Sequence, residues 1–173
     1  MIIIEGMDKT GKTTLAEALA LRMRRQIAAF GVPPIDVFEY HSTGVERAGR
    51  SAIIDRLHWS EYAYGKTYRA GCGYTAERWA ELEGRLESLD AFTIMMTDEL
   101  PLVRQRWEWS QEPFDPEKLV ELNNHFTDLY LRRSKPISRL PAILMNYRDL
   151  FDHKGQTTAR FEAVVREIEE AGA

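Results

Sequence analysis

An α/β fold built on a parallel sheet is predicted by three features of this 173-residue sequence. Short β-branched or apolar runs alternate with longer stretches of helical pattern, the order expected of βαβ units. The first apolar run breaks into a glycine-bearing turn, GMDKTGKT, before the chain turns helical. Hydrophobic residues make up 44% and charged residues 29%, an ordinary balance for a chain that buries a core.

Taken in order, the strands are expected at Ile2–Glu5, Ile35–Tyr40, Ser51–Asp55, Phe92–Thr97 and Ala142–Asn146. Helices are expected from Lys12 to about Phe30, from Trp59 to about Tyr68, and over Thr75–Leu89, Leu100–Trp107, Pro116–Arg133 and Thr157–Glu170. The helix at Pro116 has a clear start, with Asp115 as N-cap, proline at the first helical position and Glu117 in the first turn. The segments GVPP, RAGCGYT and SQEPFDP supply loop punctuation. With no internal repeat and no linker, residues 1–173 are expected to form a single domain. The span Tyr40 to Ser51 is read as a loop alone.

The turn Gly6-Met7-Asp8-Lys9-Thr10-Gly11-Lys12-Thr13 fits the pattern GxxxxGK followed by Ser or Thr, and it sits where that pattern must sit, between a strand and a helix. Glycines let the backbone bend into a concave nest whose N–H groups, with the helix N-terminus, face phosphate. Lys12 can reach the β and γ phosphates, and the Thr13 hydroxyl can ligate a bridging magnesium ion. Gly6, Asp8, Lys9, Thr10, Gly11, Lys12, Thr13 and Thr14 are therefore the expected contacts of the ATP phosphates. No NKxD-like guanine-reading segment follows, which argues against a GTPase and leaves a kinase or another ATPase.

A second informative stretch is SAIIDRLHWSEYAYGKTYR. A strand delivers Asp55 and Arg56 to its C-terminal end, the edge where open α/β sheets bind ligands. Asp55 can hold a metal through water, together with Thr13, or accept a proton from an acceptor hydroxyl; Arg56 can clamp phosphate. The alternative is structural, with Asp55 capping a helix, Arg56 in an ion pair, and Trp59, Tyr62 and Tyr64 in the core.

The segment IIIEGMDKTGKTTLAEAL, followed by a strand ending in DR and then SEYAYG, resembles the thymidylate kinase-like branch of the nucleoside and nucleotide kinases among P-loop NTPases. The likeness covers most of the chain by element order and two segments by motif. It implies a P-loop kinase fold, a five-stranded parallel sheet flanked by helices with the P-loop strand central, and a small lid over approximately 104–116. It also implies magnesium- and ATP-dependent transfer of the γ-phosphate to a deoxynucleoside or deoxynucleoside monophosphate. By this resemblance Lys12, Asp55, Arg56 and Lys9 are the catalytic candidates, Asp8 faces the acceptor sugar, and Arg56 holds the acceptor phosphate. Trp59, Tyr62 and His41 join Asp8 and Arg56 as acceptor-binding candidates. Lys9 is ranked first for neutralising the transferring phosphoryl, with Arg104 and Arg106 as lid candidates against the alternative of a solvated helix face. Members of the family often dimerise, although no isolated apolar stripe requires a homodimer here.

Two departures bear on the acceptor. The chain has EYHSTGVERAGR where thymidylate kinases carry a phosphate-contacting Arg-Glu-Pro segment, and the Tyr40–Ser51 interval leaves no room for their helical structure. A more open acceptor site suits a second reading, similarity to phage-encoded kinases that phosphorylate hydroxymethylated pyrimidines such as 5-hydroxymethyluracil within DNA. In that reading YGKTYRAG and YLRRSKPISR track the polymer, against a net charge of −4. A third, of another class, is a P-loop ATPase or nucleotide-binding switch with no acceptor. One cysteine, Cys72, and no stretch of membrane-spanning length make the cytoplasm the default expectation.

Overall fold

The opening run Ile2–Gly6 forms strand β1, buried at every position, as a parallel strand covered on both faces must be. In this computed structural model, which describes residues 1–31, 36–69, 71–110, 115–132 and 138–172, the chain continues through α1 (Lys12–Met23), β2 (Ile27–Ala29), α2 (Val37–Ala48), β3 (Ile53–Asp55) and α3 (His58–Tyr68). It then forms α4 (Ala76–Ser88), β4 (Phe92–Thr97), α5 (Leu100–Ser110), α6 (Pro116–Tyr130), β5 (Ala142–Asn146), α7 (Tyr147–Leu150) and α8 (Ala159–Glu170). The strands lie in the order β2-β3-β1-β4-β5, and every neighbouring pair is parallel. This is the expected five-stranded sheet, with the strand that precedes the glycine turn at its centre.

Side-chain alternation along β1 sets the layers. Ile2 and Ile4 pack with Leu15 and Leu19 of α1 and with Phe161, Val164 and Ile168 of α8. Ile3 points the other way, into a core with Trp59 of α3, Trp79 and Leu82 of α4, and Leu122 and Phe126 of α6. Asp115 caps α6 by accepting the Glu117 N–H at 3.0 Å, with Pro116 in the first turn, as its sequence predicts.

Two expected elements are overturned. The first helix does not run to Phe30; it ends at Met23, where Arg24 enters the left-handed region (φ 54°) and closes the helix with its N–H on the Ala20 carbonyl. The second strand is consequently β2, with Ile27 opposite Ile53 and Ala28 opposite Ile54. The expected strand was Ile35–Tyr40, and its segment Val37–Tyr40 opens α2 instead. Asp36 accepts the Glu39 N–H at 3.0 Å, an N-cap worth about 0.5–2 kcal/mol. Phe38, His41, Ser42 and Val45 are buried at i, i+3, i+4 and i+7 of α2, so the helical period beats local β propensity. The interval Tyr40–Ser51 is therefore mostly helix, and the comparative openness inferred from its supposed lack of helix does not hold.

The expected boundaries of α5 and α6 differ only at their ends. Of the segments expected as loops or basic tracks, residues 32–35, 70, 111–114 and 133–137 lie outside the described residues, and with them Arg133 and the centre of the expected lid. Among the described residues no helix is long and apolar enough to cross a membrane.

Candidate active site

The glycine turn takes its shape from backbone angles that side chains resist. Gly6 (φ 129°), Lys9 (φ 65°) and Gly11 (φ 90°) all have positive φ. A Cβ at Gly6 would strike the Met96 carbonyl of β4, and one at Gly11 would strike the Tyr147 ring, so close packing as well as φ requires glycine at both. Thr10 is fully buried and donates its hydroxyl to the Met7 carbonyl at 2.7 Å, closing the turn on itself.

Lys12 is buried inside that turn, its ammonium donating to the Met7 carbonyl at 2.7 Å and lying 3.4 Å from Asp8 Oδ1. Burial lowers its pKa, opposed by the Asp8 and Asp55 carboxylates. Asp8 Oδ1 also pairs with Arg56. Burial pushes the Asp8 carboxyl up, but the Lys12 and Arg56 charges outweigh it and hold the group below the usual carboxylate range. One carboxylate thus bridges a cation of the turn and a cation of the β3 edge.

On the other side of Lys12, the exposed Thr13 donates its hydroxyl to Asp55 Oδ2 at 3.1 Å. The second oxygen, Asp55 Oδ1, is buried with no protein partner. A hydroxyl beside a buried, half-satisfied carboxylate at the start of a helix fits a magnesium ion whose other ligands are phosphate oxygens and water. Among the described residues no group of three or more His, Cys, Asp or Glu is arranged as a protein-only metal cage, and magnesium bound with phosphates needs none. Thr14 is exposed on the first turn of α1.

Arg56 is held in the left-handed region (φ 70°), its N–H on the Ile4 carbonyl at 3.0 Å. Immediately beyond it, the start of α3 is fixed by Glu5 of β1. This fully buried carboxylate accepts the N–H groups of Leu57, Trp59 and Ser60 at 3.0–3.1 Å and the Ser60 hydroxyl at 2.5 Å. Glu5 was not singled out in the sequence, yet a lone acid inside IIIEG is itself the signal, because a buried charge needs donors.

Asp98, just after β4, has no motif around it in the sequence. It occupies the strand end on the opposite flank of β1 from Asp55, accepting the Glu99 N–H at 2.8 Å and facing Arg106 Nη2 at 2.7 Å. Arg106 further donates to the Lys9 carbonyl at 2.7 Å, so α5 touches the turn directly. Arg104 does not: it is exposed and paired with Glu108 one turn along. The Lys9 ammonium lies 5.1 Å from the centre of the Trp107 ring, which places Trp107 against the turn, whereas Trp109 is exposed.

A cavity of about 310 Å³ opens beside the turn, with Asp8 and Arg56 at one end. Its wall includes Phe30 at the exit of β2, His41 of α2, and the stacked Tyr64 and Tyr68 of α3. The Tyr64 hydroxyl accepts the Asp8 N–H at 2.8 Å, tying the cavity wall to the turn. His41 is buried against Tyr74, to whose hydroxyl its Nδ1 is hydrogen-bonded. Burial, with the His58 and Arg69 charges, lowers its pKa to about 3, leaving a neutral ring at neutral pH. Glu61, within SEYAYG, and Arg69, within the basic stretch YGKTYRAG, are not among the expected site residues but also line the cavity as an ion pair of 2.7 Å. Of the acceptor candidates, Asp8, Arg56 and His41 are brought together there. Trp59 and Tyr62 are not: they are 1% and 3% exposed in the core around Trp79, with Lys66 over the Tyr62 ring.

No family model matches the chain, and no curated protein matches it in sequence. Solved structures do match. The chain is similar to the YorR protein of Bacillus subtilis, solved in complex with phosphorylated GDP, with a TM-score of 0.76 at 15% identity over 98% of this chain and 96% of that one. It is similar to deoxyadenosine kinase from M. mycoides with bound dCTP, with a TM-score of 0.62 at 14% identity over 98% and 100%. A gluconokinase from Sinorhizobium meliloti aligns with a TM-score of 0.50 at 11% identity over 83% and 79%. The fold is that of the P-loop kinases.

Proposed function

We propose that the chain is an ATP-dependent phosphotransferase whose acceptor is a deoxynucleoside or deoxynucleoside monophosphate. The observation that carries this reading is Asp8, which joins Lys12 of the glycine turn to Arg56 at the mouth of the 310 Å³ cavity. A phosphate-binding turn and a pocket of ligand size share one wall. Nucleotide in the solved structures of YorR and deoxyadenosine kinase supports the reading.

In this proposal Gly6 to Thr14 hold the ATP phosphates, and residues 1–173 act as one domain in which α5 contributes to the lid. Lys12 leaves the Met7 carbonyl for the phosphates, and Lys9 and Arg106 add positive charge where negative charge develops. Thr13 and Asp55 would hold the magnesium ion, which when bound would supply positive charge to the phosphate groups. Asp8, kept ionised by its two cations, accepts a hydrogen bond from an acceptor hydroxyl, while Arg56 orients an acceptor phosphate. Cation over Trp107 and ion pair to Asp98 are the resting partners that Lys9 and Arg106 exchange.

The fate of the γ-phosphate tests this. Purified protein is incubated with magnesium, γ-labelled ATP and a pool of deoxynucleosides, their monophosphates and 5-hydroxymethyluracil-bearing DNA, and the label is located by mass spectrometry. Label in a small acceptor is expected. Label in the polymer, at a rate falling steeply with salt, replaces the acceptor assignment with a DNA-base kinase. Label only in free phosphate leaves an ATPase or switch and withdraws the acceptor roles of Asp8 and Arg56.

A further inference from the structure

The chain around Arg56 is not secured by its own sequence. Arg56 is held at φ 70°, a region that side chains resist. Leu57 stands at the N-cap of α3 and offers no side-chain hydrogen bond to the free N–H groups of the first turn. Two buried carboxylates from other elements grip this stretch instead. Glu5 of β1 takes the N–H groups of Leu57, Trp59 and Ser60. Glu83 of α4 takes the side chain between them, with Oε1 2.6 Å from His58 Nε2.

That second grip is sealed from solvent: His58 is 0% exposed and Glu83 2%. The Ser138 hydroxyl donates to the same Oε1 at 2.6 Å, and the Arg139 N–H donates to Oε2 at 2.6 Å. Burial pushes the Glu83 carboxyl up, but His58, Ser138 and Arg139 outweigh it and hold the group below the usual carboxylate range. An ionised carboxylate only accepts, so the proton between the two side chains sits on Nε2. The other ring nitrogen, Nδ1, has no protein partner among the described residues, and the Trp79 ring lies 4.7 Å away between centroids. One hydrogen bond therefore sets the direction of the ring. Buried charged pairs add little net stability over apolar side chains of similar volume; what this one supplies is direction.

We infer that His58 is a positioning residue for Arg56: its hydrogen bond to Glu83 fixes the start of α3, and with it the guanidinium at the mouth of the acceptor cavity. The inference rests on Arg56 meeting the acceptor, as proposed above. His58 does not itself line the cavity, so it acts through the two residues of backbone that separate it from Arg56.

Two amides separate the ring nitrogens. His58→Gln places an amide nitrogen near the position of Nε2, whereas the amide of His58→Asn reaches only to that of Nδ1 and falls short of Glu83. Transfer of labelled γ-phosphate to the acceptor used by the wild-type protein gives the KM for both substrates. His58→Asn should raise the KM for the acceptor about tenfold with the KM for ATP unchanged, and His58→Gln should restore most of it. Added to Arg56→Ala, His58→Asn should cost nothing more, since the group it positions is gone. The double variant His58→Leu/Glu83→Gln removes the pair without stranding a buried charge; it should fold and show the same tenfold rise, and it decides the matter if His58→Asn does not fold. An unchanged acceptor KM in His58→Asn, equal losses in His58→Asn and His58→Gln, equal rises in both KM values, or a further penalty on top of Arg56→Ala overturns the inference and leaves the kinase reading standing. Absence of transfer to any nucleoside or monophosphate by the wild-type protein removes that reading, and the inference falls with it.

Discussion

The glycine turn and the cavity beside it share Asp8 but are built on opposite plans. The turn is eight consecutive residues that close on themselves: Thr10 and Lys12 both end on the Met7 carbonyl, and three positive φ values set the curvature. The cavity gathers residues from the turn, from the exit of β2, from α2 and from both ends of α3, and Tyr64, His41 and Ser60 in it are each positioned by a partner far away in sequence. The first plan makes a site for a ligand part that never varies. The second leaves each wall free to change without disturbing the others, which suits the half of the reaction where selectivity is decided.

The largest effect that sharpens this contrast is on the turn. Lys12→Ala should cost about a thousandfold in phosphoryl transfer, the scale of losing a preorganised charge at the reacting group, with the acceptor affinity nearly unchanged. Full transfer by that variant, in a single-turnover assay, would remove the turn from the mechanism. Across the shared wall, Arg56→Ala should raise the KM for the acceptor about ten- to a hundredfold with the KM for ATP little altered. Equal rises in both would mean that the two halves do not separate as described.

Smaller effects probe the supports. Glu5→Gln weakens the acceptor side of four hydrogen bonds and should lower the unfolding free energy by about 1–3 kcal/mol, read as a shift in the chemical-denaturation midpoint. His41 makes stability depend on pH. Its folded pKa of about 3 lies below the ordinary 6.5, so between those values the unfolded chain binds the extra proton. Stability therefore falls as pH drops through that window, by at most about 1.4 kcal/mol per pH unit, and His41→Asn should flatten the profile. Smallest of all, Arg104→Ala should leave transfer within about twofold of wild type, since an exposed helical ion pair contributes only a few tenths of a kcal/mol. Arg106→Ala, which frees the Lys9 carbonyl and Asp98, should not.

These differences follow what was legible in the sequence. The turn and Asp55-Arg56 were readable because their chemistry needs particular residues at fixed spacing and follows directly from a strand. The sheet was readable from its alternation, except where Asp36 and Glu39 signal a helix start inside a stretch rich in strand formers. Three-residue β2, hidden after Arg24, offers too few residues for any period to show. Glu61 lies in SEYAYG and Arg69 in YGKTYRAG, but neither stretch shows that the two pair at the end of α3 or that the Gly73 N–H takes the other Glu61 oxygen. Trp59 and Tyr62 mislead for the converse reason: an aromatic beside a motif looks like a ligand contact until its burial is known.

Asp8 has one further consequence. Its carboxylate is a counter-ion held in common by Lys12 and Arg56, so an anion that draws either cation away leaves more of Asp8 to the other. Ligands on the two sides are then thermodynamically linked through a single negative charge. Whatever factor the first confers on the second, the second must return to the first.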